Sequence, residues 1–205
     1  MTAPDPRPLL TRALDQIGAL VADTGPDALD RPTPCEGWDV RTLMSHLVGV
    51  HRRVAHVGRG GAPFDVSSMP EVPDGEHARQ LAAARADVDA SWGLDGAHDA
   101  VLDRELVLPW GTMPGRFAGF GYVQEFTVHA WDLAAATGRT AQLDDVLAEA
   151  VEDSARQMVP ADTRGGPVPF GPPVPVPPDA GPYARLVGWL GRDPAPATDG
   201  TPARG

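Results

Sequence analysis

The sequence predicts an all-α domain. Several segments repeat apolar residues at three- and four-residue spacing. The stretches between them are dense in glycine and proline, and only residues 101–108 alternate as a strand would. With 205 residues, 42% of them hydrophobic, the chain can bury a full core in one domain of ordinary size. We expect a single helical domain over residues 1–194 and a disordered tail over 195–205.

Pro8 to Ala22 reads as the first helix, with Leu9, Leu10, Ala13, Leu14, Ile17, Leu20 and Val21 at helical spacing. Gly25-Pro26 ends it, and Asp27 to Cys35 is a loop. Asp39 is placed to cap a second helix, whose stripe is Val40, Leu43, Met44, Leu47, Val48 and Val54. His46 lies at the edge of that stripe, where a lone histidine is ordinarily structural. His51 and His56 are expected on the surface. Residues 58–74 form a loop, and residues 75–92 form a third helix, with His77 near its start and His98 beyond its end, neither with a spaced partner. Val101 to Leu108 is a short strand, and Pro109 to Gly115 (PWGTMPG) is a turn-rich loop.

The stretch from Gly121 to Gly138, GYVQEFTVHAWDLAAATG, predicts the next helix. Gly138 stands where a C-capping glycine belongs. A fifth helix spans Leu143 to Met158, with Asp144, Asp145, Glu149, Glu152 and Asp153 on a solvated face. Pro160 to Pro182 is too rich in proline for a helix or a central strand. Its Val168, Phe170, Val174 and Val176 favour an arm laid over the helices rather than a free linker. A short helix, Tyr183 to Leu190, follows.

Net charge narrows the partners. A value of −11 argues against nucleic acid, whose phosphates demand a basic surface. No apolar run is long enough for a membrane span. The N-terminus shows no basic region followed by an apolar core, so no signal peptide is expected. A single cysteine, Cys35, excludes an internal disulfide and suits the cytoplasm. All 17 basic residues are arginine, a composition that fits a GC-rich bacterial genome. A small-molecule substrate and a monomer or homodimer are the expectation.

Chemistry concentrates on Glu125 and His129. Four residues apart on a helix, their Cβ atoms lie roughly 5–6 Å from each other on one face. A carboxylate and an imidazole so placed can hold two corners of one divalent metal; the same pair is also common as a weak surface interaction. Here Tyr122, Phe126 and Trp131 surround it, and burying an unpartnered carboxylate is costly.

Three segments carry a family resemblance. TPCEGWDVRTLMSHLVG (Thr33 to Gly49) and EFTVHAWDLAAATG (Glu125 to Gly138) resemble the two motifs of the DinB-like, mycothiol-dependent maleylpyruvate isomerase N-terminal domain superfamily. LVGWLGRDP (Leu186 to Pro194) is similar to the ending of a metal-binding subgroup of it. The resemblance implies a DinB-like four-helix bundle, here with extra C-terminal helices and the proline-rich arm. It implies a divalent metal held by His46, Glu125 and His129. Two histidines and one glutamate match a catalytic zinc site with an open position, although nickel, iron or manganese would also accept them.

Relatives of this type bind the thiol of mycothiol at the metal, and the thiolate attacks an electrophilic small molecule, in transfer or in isomerisation. A thiol-independent metalloenzyme using metal-bound water, or a non-catalytic metal-binding or sensing module, are the alternatives. Asp132, three residues after His129, is placed either to orient that ring or on the solvated helix surface. Tyr122, Trp110 and Met113 are expected to line the pocket. Trp38 and Trp131 are read as core packing, and Cys35 as a small buried residue with no histidine within sequence reach.

Overall fold

A computed structural model describes residues 4–162, 164 and 170–195. Its elements run α1 (Arg7–Ala22), α2 (Val40–Gly58), α3 (His77–Trp92), β1 (Glu105–Leu108), β2 (Gly111–Pro114), α4 (Gly115–Thr137), α5 (Asp145–Met158) and α6 (Pro182–Trp189). α1 packs on α4 and α3, and α2 packs on α3 and α4, which closes a four-helix bundle. α5 lies on α4 and carries α6.

Each helix forms for a local reason. The Asp39 side chain accepts from the Thr42 amide at 2.8 Å and so satisfies one of the orphan donors at the start of α2. Gly138 ends α4 in the left-handed conformation, φ 74°, which a side chain would disfavour. The apolar stripes meet in one core, with Leu10, Ile17, Leu43, Leu47, Trp92, Phe126, Leu147 and Leu186 almost wholly buried.

Two boundaries differ from expectation. β1 is only Glu105–Leu108, and the PWGTMPG segment supplies its antiparallel partner β2. α4 begins at Gly115, six residues before the predicted start. Its opening turns, GRFAGFG, are poor in helix-forming residues, and packing overrides that preference. The amides of Gly115 and Arg116 donate to the carbonyls of Arg104 and Leu102, each at 2.9 Å, so the hairpin caps the helix it leads into.

His51 is a correction. It is fully buried rather than on the surface. α2 is packed on two sides, so its buried face is wider than its apolar stripe. His51 follows Leu47 by one turn and reaches Phe126 of α4, with ring centroids 4.6 Å apart. Its Nδ1 donates to the Leu47 carbonyl at 2.7 Å, and its Nε2 has no partner among the described residues. His77 is likewise buried, 3.2 Å from the Ser45 hydroxyl.

Of the proline-rich arm, residues 160–162, 164 and 170–181 are described and contain no helix or strand. They lie on the domain: the Val174 amide donates to the Gly188 carbonyl at 2.8 Å, and Phe170 packs against the core. The expectation for Val168 lies outside the described residues, as does that for residues 196–205.

Burial pushes the His51 imidazole down to about 4. Its unfolded value is higher, near 6.5, so below that pH the unfolded chain binds the extra proton and stability falls as pH falls towards 4. We expect about 2 kcal/mol of this loss between pH 7.5 and pH 5. His51→Leu should fold and flatten that part of the acid limb, as read by urea unfolding at several pH values.

Candidate metal centre

α2 and α4 face each other across the bundle, and their facing residues His46, Glu125 and His129 meet there. His46 Nε2 is 3.3 Å from Glu125 Oε1, and His129 Nε2 is 3.5 Å from the same oxygen. One donor atom from each residue falls within 4.8 Å of the others. The two imidazole rings stand edge to face, with centroids 4.9 Å apart. Two imidazole nitrogens and a carboxylate oxygen are a donor set suited to zinc and related divalent cations.

Both rings are held at their far nitrogen. His46 Nδ1 donates to the Ser68 carbonyl at 3.1 Å. That carbonyl reaches the ring because residue 49 is glycine. A Cβ built on Gly49 would lie 2.5 Å from Ser68 O and 2.7 Å from Pro70 Cδ. His129 Nδ1 is 2.9 Å from Asp132 Oδ2. Each ring therefore turns Nε2 towards Glu125, the tautomer and orientation that a metal ligand needs.

Asp132 resolves between the two readings left open by its position. It has no exposed surface and is not a surface aspartate. Arg192, just after α6, grips it from the other side, with Nε 2.6 Å from Oδ1 and a terminal guanidinium nitrogen 2.9 Å from Oδ2. Burial alone would raise the Asp132 carboxyl. The Arg192 charge, together with the His129 and Arg192 hydrogen bonds, outweighs it and keeps the group ionised. Burial likewise opposes charge on Glu125 and His129, but each stabilises the other. The carboxyl is held well below its usual range and the imidazole well above.

Cys35 is a second correction. Its Sγ lies 3.2 Å from Asp132 Oδ2 and 3.8 Å from His129 Nδ1, although 94 residues separate it from that histidine. The sulfur approaches the ring from the nitrogen opposite the Glu125 side. Trp38, expected only to pack, stands 4.8 Å from the His46 ring and stacks at 6.2 Å on His129. Trp131 is buried in the core as expected.

His46, Glu125 and His129 line a cavity of about 590 Å³, which Cys35 also borders. Trp38, Val128, Phe170 and Leu190 supply apolar wall, and Gln124, Glu36 and Arg192 supply polar groups. The volume suits a small-molecule ligand. Tyr122, Trp110 and Met113 are not among its lining residues. Tyr122 precedes Glu125 by three residues, and its ring is buried edge-on between Trp92 and Trp110, at 5.7 and 5.4 Å. Trp110 is 41% exposed on the hairpin. The proline-rich arm contributes instead, through Phe170 and Gly171.

Removing one partner of a buried ion pair leaves an uncompensated charge, at a cost of about 3–5 kcal/mol. Arg192→Met should destabilise the protein by about that much. Adding Asp132→Asn to it should restore part of the loss, because the buried charge is then gone. Chemical denaturation of both single variants and the double variant gives the coupling energy.

Comparison with known proteins bears on the whole assembly. A family model described as the mycothiol maleylpyruvate isomerase N-terminal domain matches residues 10–134. The uncharacterized proteins MT0763 and Rv0738 of Mycobacterium tuberculosis are each 37% identical over 190 residues, covering 92% of this chain and 98% of theirs. Two crystal structures of the mycothiol-dependent maleylpyruvate isomerase share the fold. One, of a histidine-to-alanine mutant, has a TM-score of 0.57 at 13% identity. The other has a TM-score of 0.51 at 15% identity. Each comparison covers 78% of this chain and 72% of the isomerase. The chain belongs to the mycothiol maleylpyruvate isomerase N-terminal domain family.

Proposed function

We propose that this protein is a metal-dependent enzyme that uses mycothiol as cosubstrate and joins its sulfur to an electrophilic small molecule, in transfer or isomerisation. His46, Glu125 and His129 would hold the divalent cation, zinc by preference. The observation that carries this reading is the convergence of His46 Nε2, His129 Nε2 and Glu125 Oε1 on the edge of a cavity, with both imidazoles locked from behind. When bound, the cation supplies a positive charge that favours thiolate over thiol at neutral pH.

The chain's own residues do the remaining work. Asp132 and the Ser68 carbonyl hold the two rings in one tautomer. Trp38, Val128, Phe170 and Leu190 exclude water from one side of the cavity, which strengthens electrostatic interactions inside it. The family membership and the isomerase fold support the thiol chemistry. The place of Cys35 favours an enzyme over a closed sensing site, because its sulfur lies at the Nδ1 edge of His129 and not at the Nε2 edge that faces Glu125.

Two measurements test this. Metal content by elemental analysis should approach one per chain in the wild type and fall in His46→Ala, Glu125→Ala and His129→Ala. Wild-type occupancy in all three would refute the ligand set. In the cobalt-substituted protein, mycothiol should raise a sulfur-to-cobalt charge-transfer band in the near ultraviolet, absent in His129→Ala. A spectrum unchanged by millimolar mycothiol would refute thiol coordination.

A further inference from the structure

Gln124 sits immediately before Glu125 on α4 and lines the same cavity. It is 92% buried, since only 8% of its surface is accessible. Its Oε1 is a buried acceptor with no hydrogen-bond partner among the described residues. Leaving a buried acceptor without a hydrogen bond is unfavourable, so an apolar residue of similar length would serve the bare fold better. Gln124 and Val128 form the ridge of α4 next to the one that carries Glu125 and His129. A ligand whose reactive atom reaches the donor set therefore lies in the cavity that Gln124 also lines.

Among the polar side chains of the cavity, Gln124 is the carboxamide, whereas Glu36 is a carboxylate. Arg192 is already committed to Asp132 through two nitrogens. Trp38, Val128, Phe170 and Leu190 are apolar wall. A carboxamide carries no charge and both accepts and donates, so it selects a neutral ligand group with the matching pair, such as an amide or a hydroxyl. Building on the thiol-cosubstrate reading, we propose that Gln124 is a specificity-determining binding residue. Its amide hydrogen-bonds a neutral amide or hydroxyl close to the sulfur of the cosubstrate. Its satisfaction by the ligand, and not by the protein, discriminates against thiols lacking such a group.

The test is isothermal titration calorimetry of mycothiol into the metal-loaded protein, wild type against Gln124→Leu. Gln124→Met is the second variant should leucine disturb the helix. We expect mycothiol affinity to fall about tenfold or more in the variant, the loss of roughly one good hydrogen bond. Metal content should be unchanged and Tm not lowered. Equal mycothiol affinity in wild type and variant would overturn the role of Gln124 and leave the thiol reading standing. Absence of mycothiol binding to the metal-loaded wild type would overturn both. Reduced metal content in the variant would show that Gln124 serves the donor set rather than the ligand, and would likewise overturn the proposal.

Discussion

A carboxylate with no exposed surface stays ionised only if other groups replace its water. Asp132 is such a carboxylate, and the site is assembled around its needs. Its two oxygens receive Arg192, His129 and Cys35, which come from the segment after α6, from α4 and from the loop before α2. Satisfying one buried charge therefore fixes three distant parts of the chain against each other. It also fixes which nitrogen of His129 faces Glu125. Such an arrangement need not add net stability, because desolvation offsets much of the attraction. What it contributes here is registry.

Much of the fold was legible in the sequence because it rests on periodicity. The stripes of α1 and α2 and the caps at Asp39 and Gly138 are local signals, and local signals survive folding. The start of α4 was not legible. Its glycines lower helix preference, and the compensation comes from the hairpin carbonyls of Arg104 and Leu102, which no local window contains. His51 was misplaced for a related reason. A stripe shows which face of a helix is apolar, not how many neighbours surround it, and α2 has neighbours on more than one side.

The site divides in the same way. Glu125, His129 and Asp132 share one helix, so their spacing alone brings them near each other. His46 joins them across the bundle, and the motif resemblance, not the spacing, pointed to it. Cys35 and Arg192 come from opposite ends of the chain, and no spacing rule connects them to residue 132. A clue to Arg192 did exist: an aspartate on a helix as apolar as α4 would need a cation if buried. The pocket assignments of Tyr122, Trp110 and Met113 relied on closeness in sequence. The cavity draws instead on the arm and on the residues after α6, which close over the bundle from far along the chain.

Gly49 shows how far such a site extends beyond its donors. It contributes no side chain and lies on the second helix, three residues after His46. Its missing methyl group is what allows the 67–70 loop to come down onto that helix. The loop brings the Ser68 carbonyl, and the carbonyl sets the imidazole. Alanine at position 49 would meet two backbone atoms and a proline ring, none of which can step aside as a flexible side chain would. The substitution would be conservative by every measure of size and polarity. Yet its effect would be felt as a loosened imidazole at a residue it never touches.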